Sequence, residues 1–543
     1  MKYDIMVVGG GSAGWMSAAT LIKEFPDKKI ALIESPEIAT VGVGESTIGP
    51  IRNWSTFIGL QDKEFLRHTD GTYKLSIQFT DFYKKGETFH YPFGVPHLDD
   101  TLDGMNDWWF KKAFHPETPY SDYATCYYPQ MSLVEQNKLS INSDGQFEDF
   151  YFFQDSAFHF DATKFGIWLR DNFCLPRGVV HIKEHITDIK QNEDGIESLN
   201  EKYKADLYID CTGFASILLG KTLKVPFESY LDILPNDSAW ATRIPYKNKR
   251  EQLVNYTDCK AVENGWIWTI PLWSRIGTGY VYSSEFIDDD SALKQFQKHL
   301  GTEDADFKKI KMRVGMHERI WEKNVVAIGL SAGFIEPLES NGLYTVHEFL
   351  RELVRDLKRD KTSQWERDTF HYRCKYHFKN FADFVALHYT LSHRDDTEYW
   401  KAIQKKSYLK GAWPDYNHGG AWGRLAGARL HEHNFKTCGG IHCISTGMHY
   451  SPTEMTEAKW QFLTDETLLQ RQWEPWISKM NKRKGIWKHA ADQAENTYDF
   501  LKRYIYKDEP EELPQVYDFF GIDNPRVYDR MKAISKVDPN LIK

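Results

Sequence analysis

Six residues near the start of the chain, Gly9-Gly10-Gly11-Ser12-Ala13-Gly14, restrict the fold more than any other stretch. An apolar run, Tyr3 to Val8, precedes them, and Trp15 to Phe25 follows with helical spacing. A second run, Lys29 to Ile33, ends in Glu34. Strand, glycine turn, helix, strand and acid in this order form the dinucleotide-binding unit of a parallel α/β sheet. Gly9 permits the tight turn, Gly11 brings backbone up to a pyrophosphate, and Gly14 lets helix pack on strand. The helix N-terminus at Ser12 and Ala13 faces the phosphates, and Glu34 is placed for the ribose hydroxyls. NAD and FAD fit this pattern equally.

Later segments favour FAD. Val41 to Pro50 carries Gly42, Val43, Gly44 and Glu45, glycine-dense enough for backbone to pass close to a flat ligand. Ala205 to Gly213 reads as a buried strand ending in glycine. A further strand, Asn324 to Ile328, leads into Gly329-Leu-Ser-Ala-Gly-Phe-Ile-Glu-Pro-Leu-Glu-Ser-Asn-Gly342 and then a helix beginning at Leu343. FAD-dependent enzymes that open on their first strand close the flavin site with such a late turn. No second fingerprint appears: Gly277-Thr278-Gly279 lacks the third glycine and lies in a strand-like run. Free N–H groups at a helix start form an anion site, although an ordinary start capped by Ser340 reads the same way.

Thr72 to Phe79 alternates as a half-buried strand, with Lys74 on the face opposite Tyr73, Leu75, Ile77 and Phe79. On pattern alone Lys74 is a solvated strand lysine. In Asn264 to Leu272, a period of two puts Trp266, Trp268 and Ile270 on one face, and Pro271 ends the ladder. That face is sheet core or a flat wall against an aromatic ring. Phe89 to Met131 is aromatic and irregular, an insertion over a pocket or a surface excursion. His431, His433, Cys438, His442 and Cys443 fit no standard zinc spacing, so no metal is expected.

A chain of 543 residues has room for two or three structural units. A net charge of −9 gives no ground for nucleic acid or an anionic membrane as partner. Seven scattered cysteines, with no leader-like opening, read as reduced thiols in the cytoplasm. No apolar run is long enough to span a bilayer.

Three of these stretches together resemble the flavin-dependent halogenases, in particular the tryptophan-halogenase-like family. They are the glycine fingerprint, Trp266-x-Trp268-x-Ile270-Pro271, and Phe334-x-x-Pro337-x-x-Ser340-x-Gly342. The resemblance covers nearly the whole chain and weakens after about residue 400. It implies an α/β, FAD-binding Rossmann-like (GR2-type) fold with a mainly helical C-terminal region. It implies that reduced FAD from a separate flavin reductase reacts with oxygen to give a hydroperoxide, which oxidises halide to hypohalous acid. It places the catalytic lysine at Lys74, the catalytic glutamate at Glu339, and the halide at Ser340, Asn341 and Gly342. Trp266 and Trp268 would separate flavin from a small aromatic substrate, and FAD would touch Gly329 and Leu343. Tyr91-Pro92-Phe93-Gly94 stands where tryptophan-specific members commonly read His-Pro-Phe-Gly, with His90 one place earlier. The tyrosine pair and Phe-Trp pair that grip the amino acid in those members are not found around Ile441 to Thr453. Both departures favour indoles, phenols or other electron-rich aromatics over free tryptophan. Bromide and iodide, being easier to oxidise, are expected to be used at least as readily as chloride.

The expected division is residues 1–350 for flavin and halide, with a substrate-side insertion at about 89–150, and 351–543 completing the substrate pocket. Association into a homo-oligomer is left open. Two other readings compete: an FAD-dependent aromatic monooxygenase, and a flavin-binding protein without chemistry.

Overall fold

The computed structural model describes residues 1–37, 45–98, 106–359, 361–405, 440–450 and 466–507. Two sheets carry the architecture. The first is built on the N-terminal unit and runs Val180–Lys183, Ile30–Glu34, Lys2–Val8, Lys204–Asp210, Val325–Ala327, Trp321–Glu322. Its first five strands are parallel, and the sixth turns back antiparallel. Strands covered on both faces need unbroken apolar runs, and Met6, Val7, Ala31, Leu32, Ile209, Val325 and Val326 have no exposed surface. Helix Ser12–Glu24 follows the glycine turn and buries its length from Gly14 to Ile22. This is the α/β, FAD-binding Rossmann-like arrangement.

The second sheet has seven strands: Lys308–Lys311, Ser238–Ile244, Ile276–Tyr282, Gly265–Pro271, Tyr256–Val262, Ser76–Thr80, Thr88–Pro92. Neighbours are antiparallel except Tyr256–Val262 with Ser76–Thr80. Trp266, Trp268 and Ile270 join the main core, while Ile267 packs on the other face with Tyr280 and Tyr282.

Three expectations change. Thr72 to Phe79 is not one strand. Thr72–Lys74 pairs with Ala157–Phe160, and Ser76–Thr80 belongs to the seven-stranded sheet. Leu75, at the break, donates its N–H to the Asn255 carbonyl and accepts from the Phe93 N–H. Nor is the stretch half-buried: Thr72, Lys74 and Ser76 have no exposed surface, so the polar alternation faces protein and not water. Finally, Phe89 does not open an irregular segment, because Thr88–Pro92 is the edge strand. Short helices Asn106–Phe114, Asp122–Tyr127 and Met131–Glu135 follow it.

From residue 342 the described elements are helices, apart from the two-residue strand Glu495–Asn496. The first, Gly342–Leu357, runs through residue 350, so one continuous element crosses the expected boundary there. Lys111 and Lys484 both reach Asp122, joining helix Glu466–Asp492 to the segment after the edge strand. The Tyr506 ring stacks on Trp273 at 4.1 Å, fixing the end of the described chain to the turn before Ile276–Tyr282. No helix among the described residues is long and apolar enough to cross a membrane.

Candidate active site

The glycine turn is a close-packed junction. Gly9 has φ 110°, and a Cβ there would lie 2.4 Å from the Cys211 carbonyl oxygen on the adjacent strand end. A Cβ on Gly14 would meet the Gly9 carbonyl oxygen at 1.9 Å, and one on Gly10 would overlap the Glu34 carboxylate. Gly11 stands at the N-cap with no side-chain cap, which leaves the first N–H groups of the helix open. Glu34 holds Oε1 2.6 Å from His181 Nε2 at the partly exposed strand end. Ser12 donates to the Ala162 carbonyl. A backbone cradle that side chains would fill, an open helix start and an acid beside it fit a dinucleotide's phosphates and ribose. Gly329, φ 74°, comes against the same helix: a Cβ on it would sit 2.9 Å from the Ala13 methyl and 3.5 Å from Val346. Leu343 is buried at the start of that second helix. Gly42, Val43 and Gly44 lie outside the described residues. Glu45, beyond them, is half-buried with Oε2 3.8 Å from where a Cβ on Gly342 would stand. Burial, then Asp161, pushes its carboxyl up to about 7.

The late loop brings the polar residues together. Pro337–Glu339 makes one 3-10 turn, Ser340 takes a left-handed φ of 56°, and the helix begins at Gly342. Ser340 is therefore not the N-cap; Asn341 holds that place, without a side-chain cap bond. The Ser340 hydroxyl instead accepts from Lys74 Nζ at 2.9 Å and donates to Ser46 Oγ at 3.0 Å. Lys74 Nζ also donates to the Thr47 carbonyl at 2.9 Å. From Ser46 the chain of polar contacts continues through Thr257, His159 and Thr72 to the Pro271 carbonyl, tying the lysine's surroundings to the end of the tryptophan strand. Lys74 is 0% exposed. Burial pushes its ammonium down to about 7, against the upward pull of Cys259 and Glu339.

Glu339 is also 0% exposed, and burial raises its carboxyl above the ordinary range, opposed by His388 and then Lys74. His388 Nε2 lies 2.9 Å from Glu339 Oε1. The two are not aligned for a well-formed hydrogen bond, and neither finds another partner. His388 Nδ1 is 3.0 Å from the Val385 carbonyl, which can only accept, so Nδ1 carries a proton.

The tryptophans are held from behind. Trp266 Nε1 donates to Glu336 Oε2 at 2.8 Å, and Asn236 and Tyr389 donate to the same oxygen. Trp268 lies cross-strand from Gly279, where a Cβ would sit 2.2 Å from the indole. The two indole centroids are 6.1 Å apart. Phe93 lies 5.0 Å from Lys74 Nζ, and Tyr91 meets both Phe93 and Phe384 edge-on. His90, one residue earlier on the strand, bonds Ser76 and meets Tyr256, and burial lowers its imidazole to about 4. Helix Gly440–Gly447 packs on this edge, since a Cβ on Gly440 would stand 2.6 Å from the Tyr91 ring.

The structure thus gathers Lys74, Glu339, Ser340, Asn341 and Phe93 into one buried neighbourhood, and gathers the glycine turn, Glu34, Ala13 and Gly329 into another. Sequence reasoning missed His388, Cys259, Glu336 and Ser46. Nothing in the order of residues marks them, because each acts across a long loop. His431, His433 and Cys438 lie outside the described residues, which contain no cluster able to hold a metal.

The fold and the comparisons with known proteins together give the class: a flavin-dependent halogenase. The model of the family described as tryptophan halogenase matches residues 4–412, and the chain belongs to that family. It is 33% identical over 441 residues to the 7-chloro-L-tryptophan 6-halogenase KtzR of Kutzneria sp. (strain 744), covering 75% of this chain and 83% of that one. It is likewise 33% identical over 431 residues to the tryptophan 7-halogenase RebH of Lentzea aerocolonigenes, covering 75% and 80%. Among solved structures, apo VirX1 superposes with a TM-score of 0.86 at 38% identity, over 93% of this chain and 99% of that one. The tryptophan 6-halogenase SttH of Streptomyces toxytricini superposes with a TM-score of 0.78 at 29% identity, over 92% and 99%.

Proposed function

We propose that this halogenase prepares hypohalous acid beside the flavin and spends it at Lys74 and Glu339, on an electron-rich aromatic such as an indole or a phenol. The observation that carries this is a lysine and a glutamate, both without exposed surface, with Lys74 hydrogen-bonded to Ser340, the residue that follows Glu339. FAD, held at Gly9 to Gly14, Glu34 and Gly329 and reduced by a separate flavin reductase, would supply the oxidising power. The backbone N–H groups of Asn341 and Gly342, with Ser340, hold the halide, because a helix start favours a small anion. Trp266 and Trp268 keep the aromatic away from the flavin. Lys74 is divided between charged and neutral forms near pH 7. It donates a hydrogen bond to the oxidant when charged and captures the halogen when neutral. Glu339 accepts the ring proton that the halogen replaces.

The relatives' names specify tryptophan. We favour another aromatic here, because Tyr91 stands at a position commonly histidine in tryptophan-specific members. Bromide and iodide serve at least as well as chloride. The division near residue 350 remains part of this reading, with the helices beyond it completing the substrate pocket.

The test supplies FAD, a flavin reductase, bromide and an indole and phenol panel, with products read by mass spectrometry. Halogenated product is expected; gain of oxygen without halogen would establish the monooxygenase reading instead. Lys74→Ala should abolish halogenation while retaining bound FAD, and Glu339→Gln should slow it by about 10²-fold. Unchanged rates in either variant would remove that residue from the reaction.

A further inference from the structure

Two buried thiols with no part in this reaction border the Lys74–Glu339 neighbourhood. Cys259 stands on Tyr256–Val262, the strand between the tryptophan strand and Ser76–Thr80. It is cross-strand from Trp268 on one side and Phe79 on the other. Its Sγ lies 3.5 Å from the carbonyl of Leu338, the residue before Glu339. Cys443 is buried on helix Gly440–Gly447, whose first residue packs against the Tyr91 ring. Both are free cysteines. An independent observation points to a guest in the same space: both Glu339 oxygens are fully buried with no donor aligned on them.

We propose that Cys259, and after it Cys443, are the sinks for hypohalous acid that no aromatic has consumed, and so the sites at which this enzyme oxidises itself. The inference rests on the hypohalous acid reading above. The sulfur attacks the halogen, an S–X bond forms as the O–X bond breaks, and the thiol proton leaves with the oxygen as water. Water then displaces halide from sulfur, giving sulfenic acid, a halide ion and a proton. Sulfur loses two electrons and the halogen gains them. A second and third oxidation give sulfinic and sulfonic acids, the last irreversible. Burial pushes the Cys443 thiol up to about 12 and the Cys259 thiol well above its usual range, so both stay protonated and slow. A bound aromatic therefore competes successfully, and the thiols react when none is present.

The experiment runs the full-length enzyme with FAD, reductase and bromide, with and without an accepted aromatic. Free thiols are then trapped, and peptides are read by mass spectrometry. Cys259 should lose its free thiol and gain one to three oxygens ahead of the buried Cys174 and Cys374. It should do so only with bromide, and be spared by the aromatic. Cys259→Ala should complete more turnovers before activity is lost. Equal oxidation without bromide, or a Cys259 that stays reduced in the aromatic-free reaction of enzyme that halogenates once the aromatic is added, overturns the sink and leaves the halogenase reading standing. If no aromatic is halogenated and Cys259 also stays reduced, the halogenase reading falls and takes the sink with it.

Discussion

Lys74 owes its chemistry to its surroundings. In isolation it is an ordinary strand lysine, and nothing in the alternation of Thr72 to Phe79 says otherwise. Only the likeness to halogenases singled it out, since one pattern of polar and apolar residues describes both a wet face and a face turned toward buried serines and threonines. The structural consequence is measurable. Unfolded, the lysine keeps its proton to about pH 10.5; folded, it releases it near 7. Between those values the unfolded chain binds more protons, so stability rises with pH across the window, and below it the burial penalty is at its full size. Lys74→Met should therefore raise the melting temperature most below pH 7, with the gain fading toward pH 10. Thermal scans across that range decide it, and a pH-independent gain would assign the effect to packing. His388 was beyond the reach of sequence for a different reason: its link to Glu339 exists only because helix Gln364–Thr390 returns across the loop.

The tryptophan strand shows what register adds to pattern. Its period of two correctly places Trp266, Trp268 and Ile270 on one face. The neighbouring Gly277-Thr278-Gly279 looked like a failed fingerprint, and its use emerges only from strand pairing, which sets Gly279 under the Trp268 indole. Gly279→Ala must push that ring aside or bend the sheet. Overpacking of this kind costs about 1–3 kcal/mol. If the indoles are the partition we propose, the variant should also release more peroxide per halogenated product than the parent, read by coupled peroxide and product assays. A stability loss with unchanged coupling would make Trp268 plain core. Glu336 belongs to the same lesson: a buried carboxylate fixing Trp266 from behind cannot be foreseen from neighbours in sequence, because Asn236 and Tyr389 complete it from two other segments.

Across the molecule, the four central strands of the flavin-side sheet were legible, since parallel strands covered on both faces must be apolar throughout. The joining of that half to the seven-stranded sheet was not. It depends on a buried cluster: Arg275 bonds both Asp70 and Asp161, and Lys164 bonds Asp70. Asp161 also caps helix Ala162–Trp168, which packs on the fingerprint helix. Burial would raise both aspartates, but Arg275 and Lys164 hold them below the ordinary carboxylate range. Arg275→Met leaves two buried carboxylates short of a cation, so unfolding free energy should fall by about 3–5 kcal/mol. Denaturant titration tests this, and a loss below 1 kcal/mol would show that water or Lys164 alone suffices.

The hand-over at Leu75 has one more implication. Lys74 is anchored in a small sheet of its own, whereas Tyr91 and Phe93 ride on or just beyond the outermost strand at the margin of the large one. If those residues meet the guest as we propose, descendants of such a protein could exchange them, and with them their choice of molecule, while the amine stayed where it is.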